Sequence, residues 1–462
     1  MEFDIFFSIS QTPDSTGFCP DEQTMYANYL SQLKVADESG FGVAWLAQAH
    51  LSTETQKLNK RPVIPHWEGE VGLCTDFFQL AQVSMAATQN IEVGSAVLSI
   101  LANGGPIAVS ERIGNFCALQ QALGHTRRLH VGFSAGRFQF MASPYGVVPR
   151  NQVEETAWPA LRGQIFWEAA EIMLRLLNGE AFSSDSVRNT TLSRANFRSD
   201  EDWAAVQQAA VEEHALGKPP EQVEIPNRYW FEDIKCIPQH WDRNLLNLVL
   251  GSHEPALQIE VNKWRPVQVF NLSITQPEVI EATHERMAES YHPDGGEWQR
   301  NMMPRTIMDF LNDEDGLTPE ERSAAAHEDS QSTLASYWRA LEGTLDPAKV
   351  STAADNAVIG NCEEIAAQIR ERFHPQDRLM LWSDSASYTH FRAHETLRHP
   401  VCRLLLEKKN ITTFFFFYTS PISFFSCFFI LTTSSFTSLF LPPHILPYPC
   451  PLSLPPPPFP LF

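Results

Sequence analysis

Short apolar runs alternate with longer amphipathic stretches eight times over residues 1–408. The alternation predicts a parallel sheet, because each strand needs a helix to cross back over the sheet. The predicted strands are Phe3–Ser10, Val43–Ala47, Ile91–Ile100, Arg128–Ser134, Leu245–Gly251, Val267–Asn271, Thr306–Phe310 and Leu379–Trp382. Eight units favour an α/β fold of the closed (β/α)8 TIM-barrel type. The rival, an open doubly wound sheet, favours a G-x-G-x-x-G loop after the first strand, and FSISQTPDSTG contains none.

Helical patterns fill most of the spaces between these runs. The predicted helices are Asp21–Ser39 with Gly40 at its end, Thr75–Thr88, Pro106–Leu123, Ile165–Leu177 and Cys362–Phe373. Two stretches, roughly 183–240 and 312–345, exceed ordinary loop length, and we expect long insertions between strands there.

The last part of the chain differs in composition from the rest. From Phe414 to Phe462 there is no Lys, Arg, Asp or Glu, and Phe, Ser, Leu and Pro dominate. Pyrimidine-only codons can encode all four amino acids, so translation of a pyrimidine-rich non-coding region is one interpretation. A C-terminal membrane anchor is the other, although Pro421 and the proline-rich end weaken it. We therefore predict one barrel domain, 1–408, and a hydrophobic tail, 409–462, outside the fold.

Charge and cysteine content exclude several classes of protein. Thirty-four Lys and Arg against 55 Asp and Glu give a net charge of −21, which argues against a nucleic-acid partner. The eight cysteines form no C-x-x-C pair, so neither a disulfide framework nor a structural zinc site is expected, and no metal site is predicted. The N-terminus lacks the basic region of a secretory signal, and a cytoplasmic protein is expected.

Polar residues follow several of the predicted strands, where a barrel places its chemistry. His50 follows the second strand and can exchange a proton near neutral pH, although a structural histidine is the alternative. After the fourth strand, Ser134 and Arg137 in GFSAGRF can hold a phosphate, or form a plain turn with a solvated arginine. After the fifth strand, Ser252 in GSHEP can bind an anion at a helix start or simply cap that helix.

Several motifs, taken in chain order, resemble the bacterial luciferase-like flavin monooxygenase family. The resemblance runs with gaps from residue 1 to about residue 406. The matching segments are MEFDIFFSISQTP, ADESGFGVAWLAQAH, NIEVGSAVLSI, GPIAVSERIGNFCAL, RRLHVGFSAGR, FWEAAEIMLRLL, LVLGSHEPALQIEV and VIGNCEEIAAQI.

The resemblance implies a (β/α)8 barrel, usually dimeric, that binds reduced FMN or, in some branches, the deazaflavin F420. The FMN branch combines the reduced flavin with O2 to oxygenate a small organic substrate, and a separate reductase commonly supplies the flavin. The protein positions the flavin ring and excludes water from it.

The resemblance also assigns site residues, with two departures from the family pattern. Ser95, Ala96, Val97 and Ser134 match positions around the flavin ring. Gly251 and Ser252 match the phosphate turn, and His50 matches the second histidine of the E-H-H pattern. Ala49 replaces the first histidine, which is catalytically important in the luciferases, and Ala135 replaces a phosphate-binding arginine. The neighbouring Arg137 is the expected substitute for that arginine.

Three functions follow from these assignments. The first is an FMN-dependent monooxygenase with His50 as a proton donor or hydrogen-bonding group. The second is an F420-dependent oxidoreductase that transfers hydride without oxygen. The third, motivated by Ala49 and Ala135, is a barrel that has lost catalysis and only binds flavin or dimerises.

Overall fold

A computed structural model describes residues 1–11, 20–50, 70, 72–136, 141–341 and 354–382. Backbone contacts divide the chain into two units, Met1–Ile411 and Thr412–Phe462. The second unit lies wholly outside the described residues, so the predicted boundary at residue 408 stays a prediction. Within the described ranges, no helix is long and apolar enough to cross a membrane.

Nine strands form one parallel sheet in the order β10-β9-β11-β1-β2-β3-β4-β7-β8. A separate antiparallel pair, β5 and β6, lies in the first insertion. The strands are β1 Glu2–Phe7, β2 Val43–Leu46, β3 Glu92–Ser99, β4 Leu129–Ser134, β5 Thr190–Leu192, β6 Val223–Ile225, β7 Leu246–Leu250, β8 Gln268–Val269, β9 Pro304–Leu311, β10 Val358–Gly360 and β11 Arg378–Trp382.

Among the described residues, eight helices connect consecutive strands of the sheet, as the alternating pattern predicts, and a ninth lies in the first insertion between β5 and β6. They are α1 Glu22–Ser39, α2 Phe77–Ala87, α3 Gly105–Ala122, α4 Gln152–Leu177, α5 Asp200–His214, α6 Pro255–Val261, α7 Pro277–Ser290, α8 Pro319–Leu341 and α9 Cys362–Arg372. The ends of α1 show why sequence locates it well. The Asp21 side chain accepts the N–H of Thr24, and Gly40 ends the helix at φ 84°, a left-handed conformation that glycine adopts readily.

The predicted α/β class and parallel sheet are confirmed, but a closed eight-stranded barrel is not. The sheet curls until its two sides meet at a single parallel bridge between Asn271, just after β8, and Arg305 in β9. Two backbone hydrogen bonds form there, from the Asn271 N–H to the Pro304 carbonyl and from the Thr306 N–H to the Asn271 carbonyl. Strand β8 has only two residues, which is too short for a continuous ladder at this seam.

Both long insertions contain secondary structure. The first carries β5, α5 and β6 and packs on α4 through Glu168, whose carboxylate accepts the backbone N–H groups of Arg228 (3.0 Å) and Tyr229 (2.9 Å). Most of the second, 312–345, is α8, which lies between β9 and β10. Strand β10 also went unpredicted, because three residues show no periodicity.

Polar side chains form a layer inside the sheet at the amino ends of its strands. The fully buried Asp4 accepts hydrogen bonds from Arg378 Nε (2.7 Å), Trp45 Nε1 (2.7 Å) and the Val43 N–H (3.0 Å). One carboxylate therefore joins β1, β2 and β11.

A second buried hydrogen-bond chain continues this layer through His130. The Asn247 amide donates to His130 Nδ1 (2.9 Å) and to Gln268 Oε1 (2.9 Å). His130 Nε2 then donates to Glu92 (2.6 Å). Burial lowers the pKa of His130, so its imidazole is neutral at pH 7. The chain joins β3, β4, β7 and β8.

An apolar layer lies above the polar one, toward the carboxyl ends of the strands. Because side chains on one face of a strand recur every second residue, Phe6, Val249, Phe270 and Met380 follow Asp4, Asn247, Gln268 and Arg378 on the inner face. All four belong to one apolar cluster with Trp45. A Cβ at Gly94 would lie 2.6 Å from the Trp45 ring, so glycine leaves room for the indole.

We predict that Asp4→Asn destabilises the fold by about 3–5 kcal/mol, because it leaves the buried Arg378 guanidinium without its main counter-charge. Lys263→Met is the matched control, since Lys263 pairs with Glu260 at the exposed surface and should change stability by less than about 1 kcal/mol. Urea unfolding of both variants measures the difference. Equal effects would show that the Asp4 carboxylate does not hold the strands.

Candidate functional site at the carboxyl ends of the strands

A β-bulge near the end of β3 shapes the first wall of the candidate site. Strands β3 and β4 pair in step up to Ser95 and Val131, and pairing resumes at Leu98 and Phe133, which leaves one extra residue on β3. The bulge contains Ala96 and Val97, whose peptide bond is cis and whose side chains are half-buried against the apolar layer. These two side chains can therefore face a bound ring.

Ser95 is in the predicted segment but is committed to the sheet. Its side chain is fully buried, and its hydroxyl donates to the Gly132 carbonyl at 2.8 Å. This hydrogen bond joins β3 to β4 at the residue that precedes the bulge.

Gly251, just after β7, lies against Val97 across β4. Its N–H donates to the Phe133 carbonyl at 2.9 Å. A Cβ at Gly251 would lie 3.1 Å from Val97 Cγ1 and 3.3 Å from the Phe133 oxygen. The structure thus brings together two predicted cofactor residues that lie far apart in sequence, and glycine allows this close approach because a Cβ would crowd Val97 and the Phe133 carbonyl.

Ser134 ends β4 opposite Ser99, the last residue of β3. The Ser134 hydroxyl accepts the Gly136 N–H at 3.1 Å, and Gly136 has a φ of 82°. A Cβ at Gly136 would lie 2.6 Å from Ser99 Oγ, so this turn requires glycine on two counts. Arg137 follows directly but lies outside the described residues, so its role in phosphate binding stays a prediction.

Ser252 does not cap helix α6 in the way the sequence suggested. The N-cap of α6 is Glu254, and no side chain caps it. Ser252 lies two residues earlier, where its hydroxyl accepts the Glu254 N–H at 3.3 Å and its carbonyl accepts Gln258 Nε2 at 2.9 Å. Ser252 therefore shapes the turn after β7 beside Gly251.

His50 is buried beyond the carboxyl end of β2, and its Nε2 has no hydrogen-bond partner among the described residues. The Tyr145 ring stands edge-on to it, with centroids 6.2 Å apart. Burial lowers the pKa of His50 and Arg112 adds to this, while a hydrogen bond with Asn103 and the charge of Asp76 oppose it. The imidazole is neutral at pH 7, with one nitrogen available to a ligand.

Asn103 links His50 to the end of β3. Its amide donates to the Ser99 carbonyl (2.7 Å) and exchanges hydrogen bonds with Gln48 (3.0 and 3.1 Å). Ser99 is the residue that faces Ser134. The predicted residues therefore fall into two neighbouring groups, one around Val97 and Gly251 and one around His50 and Ser134.

Two aromatic side chains belong to the same end of the sheet and were not assigned from sequence. Phe6 and Trp382, on β1 and β11, meet edge-on with centroids 5.1 Å apart. Phe6 shares the apolar cluster with Ala96 and Val97. Strand periodicity carried the signal, since Trp382 lies four residues after Arg378 and so projects from the same face of β11.

We predict that His50 titrates below pH 6.5 and that two variants shift its pKa in opposite directions. Asn103→Ala removes the hydrogen bond that raises the pKa, so the pKa should fall further. Arg112→Gln removes a repelling positive charge, so the pKa should rise. NMR titration of the imidazole signal that disappears in His50→Gln measures all three values. A wild-type value at or above 6.5, or shifts of the same sign in both variants, would contradict the site as described.

No protein-family model matches the sequence, and no curated protein matches it. Solved structures do match the fold. Monooxygenase RslO1 from Streptomyces bottropensis is 14% identical with a TM-score of 0.56, covering 88% of this chain and 100% of that chain. Long-chain alkane monooxygenase LadA is 10% identical with a TM-score of 0.53, covering 88% of this chain and 92% of that chain.

A third match is the oxygenating constituent of 3,6-diketocamphane monooxygenase from Pseudomonas putida, solved in complex with FMN. It is 12% identical with a TM-score of 0.50, covering 87% of this chain and 98% of that chain. At such identities the likeness concerns the fold alone. At that level it agrees with the fold that the resemblance implies: this chain shares the fold of these three monooxygenases.

Proposed function

We propose that this chain is an FMN-dependent monooxygenase that takes reduced FMN and O2 and oxygenates a small organic substrate. The observation that carries the proposal is the close approach of Gly251 to Val97, where a Cβ on residue 251 would lie 3.1 Å from Val97 Cγ1. The bulged segment Ala96–Val97 presents two half-buried apolar side chains at the carboxyl ends of the strands. The likeness of the fold to solved monooxygenases, one of them in complex with FMN, also supports the proposal.

The residues around Val97 and Gly251 fit the parts of FMN. The isoalloxazine ring would lie against Ala96 and Val97, with the Ser134 hydroxyl near its edge. The turn at Gly251 and Ser252, together with Arg137, would hold the phosphate. Bound reduced flavin would supply the electrons that activate O2.

His50 provides the proton chemistry in this proposal. Its neutral imidazole and unpartnered Nε2 allow it to donate or accept one hydrogen bond at the mouth of the site. Tyr145 stands edge-on to the ring, and a hydrogen bond with Asn103 raises its pKa against the effect of burial. The apolar layer of Phe6, Trp45 and Phe270 closes the floor against water.

We expect tight binding of reduced FMN in an anaerobic titration of the full chain, run in parallel with oxidised FMN and F420. Gly251→Ala should weaken reduced FMN by about tenfold or more, because the new methyl group meets Val97 and Phe133. Gly217→Ala is the control, since a Cβ there meets no atom within 4 Å.

Admitting oxygen with candidate substrates then tests the reaction. Oxygenated product formed at the expense of reduced FMN supports the proposal. Preferred binding of F420 would contradict it and indicate hydride transfer. Binding of none of the three cofactors would point to a barrel that has lost its site.

The proposal includes a homodimer and a separate flavin reductase. A patch of exposed apolar side chains on two adjacent helices supports the dimer. Val83 on α2 is 48% exposed, Leu119 on α3 is 48% exposed, and Leu123, the C-cap of α3, is 67% exposed. Gln82 and Gln120 join the two helices through a 2.7 Å hydrogen bond, so Val83 and Leu119 flank the same contact. Burying such a patch is favourable.

We therefore predict that wild-type protein elutes as a dimer and that Leu119→Glu with Leu123→Glu converts it to a monomer. Two buried carboxylates would cost more than the patch contributes. Leu216→Glu, at an exposed leucine after α5, is the control and should leave the dimer intact. Light scattering coupled to size exclusion measures the mass. A dimeric double variant would place the interface elsewhere.

A further inference from the structure

Arg265 carries a buried positive charge that has no counter-charge among the described residues. The residue is only 9% exposed, and neither its Nε nor its Nη1 has a hydrogen-bond partner in the part of the chain that the structure describes. A buried charge normally requires both a counter-ion and hydrogen bonds, because removing it from water is costly. The other arginine of comparable burial that anchors this side of the fold, Arg175, has both.

Arg175 shows what a satisfied buried guanidinium looks like in this protein. It is 8% exposed, pairs with Glu171 (3.2 Å) and Glu180 (2.9 Å), and donates to the Ser186 carbonyl and hydroxyl. Arg265 therefore differs from Arg175 in partners and not in burial.

The positive charge of a second arginine, Arg243, contributes to lowering the pKa of Arg265. Arg243 stacks on the Trp241 ring at 3.7 Å and donates Nη1 to the Trp241 carbonyl at 3.2 Å, without an ion pair among the described residues. Burial raises the pKa of the Cys117 thiol in α3, and the charges of both guanidinium groups oppose this increase. Burial and the charge of Arg243 lower the pKa of Arg265 to about 10, so both arginines stay positive at pH 7.

The pair lies at the opposite end of the sheet from the candidate cofactor site. Arg243 comes three residues before β7 and Arg265 three residues before β8, which are neighbouring parallel strands. The cofactor residues Gly251 and Ser252 follow β7, whose five residues span about 16 Å. An anion held by the two arginines would be separate from the phosphate of a bound flavin.

We propose that Arg265 and Arg243 form a binding site for a small tetrahedral oxyanion of the inorganic phosphate type. A guanidinium presents several N–H donors to the oxygens of such an ion. Arg265 Nε and Nη1 have no partner among the described residues, and Arg243 stacks on Trp241. The anion neutralises two like charges, one on the buried Arg265 and one on the half-buried Arg243.

This inference does not depend on the proposed oxygenase activity, and its test uses stability alone. Thermal unfolding of the full chain is followed in phosphate and in chloride at equal ionic strength. Phosphate should raise the Tm by about 2 °C or more over chloride, because a ligand that binds only the folded state stabilises it. Acetate at the same ionic strength distinguishes a tetrahedral site from one that takes any carboxylate.

Arg265→Met gives the decisive comparison, because methionine keeps much of the volume and removes the charge. The variant should lose the phosphate response and, in chloride, should unfold at the same or a higher temperature than wild type. Arg175→Met is the matched control: it breaks satisfied ion pairs, so it should lower the Tm and keep the phosphate response.

Arg243→Met keeps the inference testable if Arg265→Met does not fold, since Arg243 is less buried and its loss should also abolish the phosphate response. A Tm of the wild-type protein in phosphate equal to its Tm in chloride would overturn the inference. So would a response that persists in either the Arg265 or the Arg243 variant, because the ion would then be bound elsewhere.

Discussion

The carboxylate of Asp4 organises the inner face of the sheet. It accepts hydrogen bonds from three groups on two neighbouring strands, two of them side chains that cross the interior. The Trp45 indole, fixed at its Nε1 by this carboxylate, then packs edge-on against His130 and Phe270 on the far side of the interior. Asp4 thus contacts both layers, because it bonds Arg378 in the polar layer and Trp45 of the apolar cluster. Charge burial of this kind is costly, and it is stable here because each oxygen of Asp4 is bonded.

The two ends of the strands consequently differ in chemistry. The amino ends are closed by Asp4, Glu92, His130 and Arg378, which satisfy one another. The carboxyl ends carry unsatisfied or small groups, namely the His50 nitrogen, the Ala96–Val97 bulge and Gly251. A polar atom without a partner can bond a ligand without giving up a bond within the protein. This asymmetry supports the proposal that the oxygenase chemistry lies at the carboxyl ends, as expected for folds of this type.

Buried arginines at the periphery follow the same physical rule with a different result. Arg175 and Arg378 each pair with carboxylates, whereas Arg265 has no counter-charge among the described residues and the charge of Arg243 lowers its pKa. Arg243 and Arg265 precede the neighbouring strands β7 and β8, at the end of β7 opposite to Gly251. The proposed flavin phosphate and the proposed oxyanion would each contact a segment next to β7 or β8. Binding of either anion would therefore stabilise this part of the sheet.

The sequence by itself determined the strand–helix alternation, the position of α1 between Asp21 and Gly40, and the strand ends that carry His50, Ser134 and Gly251. Local hydrogen bonding and side-chain periodicity dictate these features, and both can be recognised in one dimension. Only the tertiary structure decided that Ser95 is committed to the Gly132 carbonyl, that Val97 meets Gly251, and that the sheet meets at one bridge instead of a full ladder. These outcomes depend on the register between strands and on the one-residue bulge in β3. Register is a long-range property, because it is fixed by contacts between residues that lie tens of positions or more apart in the chain.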